Sequence, residues 1–330
     1  MIPDVRSLKV DTLEQSEPTL FSIVRNEIAL LPEFFRHYRN LGINQFIFYD
    51  DHSNDGTLEY VLDQENTSVL TSDTNFGEVV GLYNNGTDMR FVHWLKANIP
   101  VKFVPEGWVL TVDADEFLVL PLEFSSLPQC IRLLNSQGTT HLTASMVELY
   151  PEKLIQRNSP VGNSEISQAT YFDRGPYHQY EDGRYEPAIK IERGIISRLL
   201  LQLKSEYPEL VGEILSEYGV GLNAPKSWKV PLINNGAGAR HLHDHAIYEV
   251  PNLDISGALL HYKFTSNLDE KIAWALNSKG YYRSSVQYVL LKEIIEKFEN
   301  INLVSEESRI YAGIDSLYEA DVISRPLFRW

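Results

Sequence analysis

The first 120 residues alternate between two hydrophobic periods. Unbroken apolar runs at Thr19 to Val24, Gln45 to Tyr49, Ser68 to Thr71 and Trp108 to Val112 are short and rich in β-branched and aromatic residues. Runs of that kind are predicted to be strands buried on both faces. Between them the period lengthens. Ala29 to Leu41 places Leu30, Leu31, Phe34, Phe35, Tyr38 and Leu41 on one stripe, with Pro32 near its start and Gly42 just past its end. This predicts a helix with Gly42 as the residue that ends it. Leu58 to Leu62 and Asp88 to Ala97 are predicted to be further helices. Such alternation implies right-handed βαβ crossovers and a mostly parallel sheet flanked by helices, an α/β fold whose ligands sit beyond the carboxyl ends of the strands.

The second part of the chain carries weaker patterns. His141 to Leu149 and Lys229 to Ile233 are predicted strands, and Ile195 to Lys204 and Pro208 to Tyr218 predicted helices. Pro151 to Pro187 is rich in Pro, Gly, Asn, Tyr and charge, so it is expected to form long binding loops. Helical spacing returns in Leu268 to Arg309 (Ile272, Leu276, Val289, Leu290, Ile294, Ile295, Phe298), which is expected to pack as a C-terminal helical appendage. The expected organisation is a polar lead-in over 1–18, a catalytic domain over 19–265 with halves 19–125 and 126–265, and a helical extension over 266–330. We find no internal repeat.

Three polar clusters fall at the same predicted sheet edge: Arg25-Asn26-Glu27, Asp50-Asp51, and Asp113, Asp115 and Glu116 after the strand at Trp108. Carboxylates are costly to bury unpaired, so three within four positions at the end of a core strand demand a compensating cation. Hard oxygen ligands suit Mg²⁺ or Mn²⁺, which complete their shells with water and substrate phosphates. On a strand His241, His243 and His245 would share a face, and one or two could add to such a shell. The metallo-β-lactamase pattern His-X-His-X-Asp-His is not met, because Asp244 and His245 each come one residue early. There is no Walker lysine loop, no GxGxxG fingerprint and no G-x-S-x-G elbow. These absences argue against P-loop ATPases, Rossmann dehydrogenases and α/β-hydrolases.

Charge narrows the partners. A formal net charge of −16 argues against nucleic acid, which needs a basic face. The one cysteine, Cys130, rules out an internal disulfide and multi-thiolate zinc sites and suits a reducing cytoplasm. No apolar run approaches the length of a membrane span, and 1–19 has no signal-peptide core, so the expected location is cytoplasmic, with peripheral attachment at the cytoplasmic membrane face left open. Asn66-Thr67-Ser68 and Asn85-Gly86-Thr87 then read as chance triplets rather than glycosylation sites.

Ser22-Ile23-Val24-Arg25-Asn26-Glu27, the loop Tyr49 to Thr57 and Val112-Asp113-Ala114-Asp115-Glu116-Phe117 together resemble the family-2-type glycosyltransferases of the GT-A fold. Lys229-Val230-Pro231-Leu232, the following His245, and Leu259-Leu260-His261-Tyr262-Lys263-Phe264 resemble a bacterial subgroup with Asp-X-Asp-Glu-Phe and a late His-aromatic-Lys signature. The resemblance spans roughly 19–280 and is patchy over 150–225. It implies a GT-A (Rossmann-like) sheet, a nucleotide-sugar donor with UDP-sugar expected, a glycan or glycolipid acceptor, and Mn²⁺ or Mg²⁺ as cofactor. Carried over by position, Asp51 would contact the base, Asp113 and Asp115 would serve ribose and metal, and His245 or His261 would complete the metal site. Arg25, Asn26, Glu27 and Lys263 would line the donor pocket. An inverting enzyme also needs a carboxylate base, for which Asp182 is the candidate and Asp173 and Asp244 are rivals. A metal-dependent phosphoester hydrolase and an inactive GT-A-like binding module are the competing readings.

Overall fold

A computed structural model describes the chain apart from residues 1–2, 84–85, 155–165, 167–168, 178–179, 182–183, 188–193, 220, 222–226, 244–245, 248–254, 279–284, 299 and 324–330. Nine strands form the central sheet: β1 (Arg6–Lys9), β2 (Thr19–Val24), β3 (Gln45–Asp50), β4 (Thr67–Thr71), β5 (Trp108–Thr111), β6 (Glu116–Val119), β7 (His141–Glu148), β8 (Trp228–Asn234) and β9 (Ser256–His261). Their order across the sheet is β1-β4-β3-β2-β5-β8-β7-β9-β6. The strands β2, β3, β4, β5, β7 and β9 run one way, while β1, β6 and β8 run against them. This is the mostly parallel α/β sheet that the alternation predicts.

Burial on both faces follows from the two-residue period of a strand. In β3, Phe46 and Phe48 meet Phe34, Phe35 and Tyr38 of α1 (Leu31–Asn40), while Ile47 and Tyr49 point to the other side and join Phe91, Leu95 and Ile99 of α3 (Phe91–Phe103). The helix α1 ends where Gly42 takes up φ +88°, the left-handed conformation that its position predicts. Asp51 and the loop after β3 lead into α2 (Thr57–Asp63). The helix expected from Asp88 begins instead at Phe91, because Asp88–Arg90 pairs as a short strand with Val79–Leu82.

Further helices among the described residues are α4 (Leu127–Ser136), α5 (Ile195–Glu206), α6 (Pro208–Glu217), α7 (Leu268–Ser278), α8 (Val286–Phe298) and α9 (Ile314–Glu319). Leu199, Leu203 and Ile214 of α5 and α6 share one buried cluster with Leu268, Ile272, Leu290 and Ile294 of α7 and α8. The tail helices are therefore welded to the body by apolar contact. Beyond them Ser308–Ile310 pairs with Tyr171–Asp173, and Leu317 of α9 is buried with the main core. The lead-in supplies an edge strand, β1, whose Leu8 is 47% exposed.

Candidate functional site

The sites expected at the strand ends are built from the turn after β2, the loop after β3, the loop joining β5 to β6, the end of β9 and one face of α7. Asn26 sits in the left-handed region at φ +55°, which its short polar side chain tolerates. Its N–H donates to Ser53 Oγ at 3.0 Å, its Oδ1 accepts the Asn54 N–H at 2.9 Å, and its carbonyl accepts Asn267 Nδ2 at 2.8 Å. The turn is thereby tied to the aspartate loop on one side and to the start of α7 on the other.

Asp51 is wholly buried. Its Oδ1 accepts the Phe76 N–H at 2.8 Å and its Oδ2 accepts Arg25 Nη1 at 3.0 Å. Burial raises its carboxyl above the ordinary value, against the pull of the Phe76 amide and of Arg25. Arg25 lies 4.6 Å from the ring centre of Trp274, and that indole lies 5.1 Å from the Phe76 ring. Asp51 thus faces inward, with the Arg25 guanidinium and the His52 imidazole, whose Nδ1 lies 3.8 Å from Asp51 Oδ1, beside it and the Trp274 indole beyond Arg25.

A second chain of charges crosses the rim. Lys271 Nζ of α7 stands 2.7 Å from Glu27 Oε1 and 3.5 Å from Asp115 Oδ2, and His261 Nε2 stands 3.6 Å from the same Asp115 oxygen. Burial pushes the Glu27 carboxyl up to about 7 even though Lys271 pulls it down. For Asp115, burial alone would raise the carboxyl, yet Lys271 and His261 together hold it well below the carboxylate range. Burial opposes charge on His261, and Asp115 overrides it and raises the imidazole. Among the described residues Glu27 Oε2 and His261 Nδ1, both buried, meet no hydrogen-bond partner.

Asp113 belongs to a third group. Lys96 Nζ of α3 donates to its Oδ1 at 2.7 Å, and Lys229 Nζ of β8 donates to its Oδ2 at 3.0 Å and to Glu116 Oε1 at 2.5 Å. The compensating cations that three carboxylates demand are, among the described residues, lysine ammonium groups. Sequence reasoning missed Lys96, Lys229 and Lys271. A lysine inside the otherwise apolar run Trp228-Lys229-Val230 was the available signal for Lys229, because such a residue is buried only when it is paired.

No three His, Cys, Asp or Glu side chains converge on one ion position among the described residues. Two donors do face each other. Adjacent ligands on an octahedral ion with ~2.1 Å bonds lie about 3 Å apart and opposite ones about 4.2 Å apart. The 3.6 Å between Asp115 Oδ2 and His261 Nε2 matches neither spacing, and Lys271 Nζ stands 3.5 Å from the same carboxylate oxygen; the two donors are of the right type for a small hard ion and must close by about 0.6 Å to share one as adjacent ligands.

Other expected residues lie further out or elsewhere. Lys263 is 5.6 Å from the Tyr288 ring centre and acts electrostatically on Glu148, whose buried carboxylate accepts the Ile196 N–H at the start of α5 at 3.0 Å. Asp173 is occupied by a buried ion pair, with Arg198 Nε at 3.1 Å and Tyr150 Oη at 2.5 Å. His241 bonds the Val230 carbonyl at 2.7 Å. Asp182, Asp244 and His245 lie outside the described residues.

No protein-family model and no curated protein matches the sequence. Among solved structures, S. aureus TarS is similar over 56% of this chain and 29% of its own, at 15% identity and a TM-score of 0.29. Residues 1–349 of S. aureus TarS in complex with UDP are similar over 64% of this chain and 59% of that one, with the same identity and score. The chain thus spans less than two thirds of the length of either neighbour. Likeness this distant does not carry function, which has to come from the chemistry of the site.

Proposed function

We propose that the chain is a GT-A glycosyltransferase that moves a sugar from a nucleotide-sugar donor, a UDP-sugar, to a glycan or glycolipid acceptor with the help of Mn²⁺ or Mg²⁺. The observation that carries this reading is the meeting of Arg25 and Asp51, Glu27 and Lys271, and Asp115 and His261 at one rim of the sheet, although the sequence holds them far apart. Departure of a nucleoside diphosphate needs positive charge where the phosphate oxygens gather. Asp115 and His261 would hold the ion, which when bound supplies Lewis-acid neutralisation of that charge. Arg25 and Lys263 would add fixed positive charge, and Asn26 would orient the turn that carries it. Asp113, gripped by Lys96 and Lys229, would present its exposed edge to the ribose. In an inverting transfer the acceptor hydroxyl gives its proton to a carboxylate, assigned to Asp182, as its oxygen attacks the anomeric carbon from the face opposite the diphosphate. No helix among the described residues is long and apolar enough to cross a membrane.

The test is a thermal-shift panel of UDP, GDP, ADP and CDP with and without Mn²⁺, on the wild type and Asp115→Ala. The expected result is stabilisation by UDP that needs Mn²⁺ and is lost in the variant. No response to any nucleotide, or an equal response without metal and in Asp115→Ala, overturns the donor site. A hydrolase would instead release phosphate from a phosphoester without an acceptor sugar.

A further inference from the structure

The helix α7 lies in the segment that sequence patterning sets apart as an appendage, yet three of its contacts fall on the rim. Asn267, just before it, donates to the Asn26 carbonyl at 2.8 Å. One turn in, Lys271 reaches Glu27 and Asp115. One further turn on, Trp274 lies over Arg25 at 4.6 Å and against Phe76. The spacing of 267, 271 and 274 is the i, i+4, i+7 pattern of a single helix face. We propose that this face is a working wall of the nucleotide pocket: Trp274 is the platform on which the nucleobase stacks, and Lys271 is the cation that faces the diphosphate. The inference rests on the nucleotide-sugar reading and adds two residues to it.

Two observations carry it. The first concerns Asp51, whose side chain is wholly buried and whose two oxygens are already engaged by Phe76 and Arg25. A base arriving at this end of the sheet meets the side chains around that carboxylate: the His52 imidazole, 3.8 Å from Asp51 Oδ1, the planar Arg25 guanidinium and, beyond Arg25, the partly exposed Trp274 indole. All three are flat, the indole is the largest, and such a platform is sequence-tolerant because every base has a π-face. The second concerns Lys271. Its ammonium lies between two carboxylates, donating a short hydrogen bond to Glu27 at 2.7 Å and a long, weaker one to Asp115 at 3.5 Å. An ion and a diphosphate arriving at Asp115 leave Lys271 fixed by Glu27 and directed toward the phosphate oxygens. Glu27 then positions Lys271, as Phe76 and Asp51 position the Arg25 and Trp274 stack.

The experiment measures binding of UDP and of uridine by calorimetry in saturating Mn²⁺, on the full chain, for the wild type, Trp274→Leu, Trp274→Phe, Lys271→Gln and Lys271→Arg. Trp274→Leu is expected to weaken both ligands by about ten- to a hundredfold, the range that loss of one base–aromatic stack gives. Trp274→Phe restores most of that loss. Lys271→Gln is expected to weaken UDP at least tenfold and leave uridine unchanged, and Lys271→Arg to recover UDP. The Phe and Arg variants keep packing and charge, so they separate a lost contact from a lost fold. If UDP binds every variant as it binds the wild type, α7 is only a structural cover and the inference falls while the nucleotide site stands. If the wild type binds no UDP in Mn²⁺, the donor reading falls and takes this inference with it.

Discussion

Replacing Lys229 by methionine isolates the charge balance beneath the rim. Methionine keeps most of the volume of the lysine stem, so no large cavity opens and the change is electrostatic. The lysine side chain is 6% exposed and Glu116 is 1% exposed, so removing the ammonium strands a carboxylate that water cannot reach. Asp113, at 36% exposure and still held by Lys96 at 2.7 Å, tolerates the loss. Breaking one side of a buried pair costs about 3–5 kcal/mol. For a large domain that corresponds to a fall of about 5–15 °C in the unfolding midpoint. Adding Glu116→Gln removes the second charge while its amide oxygen still accepts the Asp113 N–H, so the double variant should regain at least half of the lost stability. Urea unfolding followed by circular dichroism on the wild type, both single variants and the double variant gives the coupling directly. A Lys229→Met chain within about 1 kcal/mol of the wild type, or a double variant as unstable as the single one, would refute the claim that this ammonium is the cation the carboxylates require.

Three further outcomes follow from the packing. Cys130 is fully buried, and burial pushes its thiol up to about 12, so a thiol reagent at pH 8 should modify it only in denaturant; rapid labelling of the native chain would contradict that burial. Burial lowers the His37 imidazole below its usual 6.5 while its ring N–H donates to the Leu118 carbonyl. The unfolded chain then binds a proton that the folded chain refuses, so this contribution is full above 6.5 and is lost as pH falls through the lower folded value. His37→Gln should flatten the fall in unfolding midpoint between pH 7 and pH 5, and an unchanged slope would count against it. Gly257→Ala would place a methyl group 2.7 Å from the Val119 carbonyl across the β9–β6 ladder, so a loss of about 1–3 kcal/mol is expected in thermal unfolding, and an unchanged midpoint would show that the strands yield freely.

The first 120 residues were legible because one physical signal dominated them. Strands such as Phe46-Ile47-Phe48-Tyr49 are apolar on both faces, and α1 carries an uninterrupted stripe, so neither could be mistaken for the other. β1 escaped notice because an edge strand exposed on both faces has no pattern to read, and Asp88–Arg90 was absorbed into a helix because three residues cannot show a period. The carboxylates at the rim were visible as residue types in the wrong solvent. Their partners were not. Lys96, Lys229 and Lys271 come from α3, β8 and α7, and the distance along the chain between a charge and its counter-charge follows no local rule. The structure answers the demand for a cation with ammonium groups at all three carboxylates, Lys96 and Lys229 at Asp113 and Glu116 and Lys271 at Asp115.

The hydrogen bond from Asn267 to Asn26 spans 241 residues, and the Glu27–Lys271 pair closes a loop of nearly the same size. Contacts of such long range form late in folding, because the entropy of closing the chain is spent before they reward it. During synthesis, the sheet strands β2 to β5 can assemble while Glu27 and Asp115 still lack their ammonium. The rim would therefore be completed only as α7 leaves the ribosome and docks, and a chain cut before Asn267 would lose Lys271 and Trp274 from it and bare the apolar faces of α5 and α6 that pack on α7 and α8.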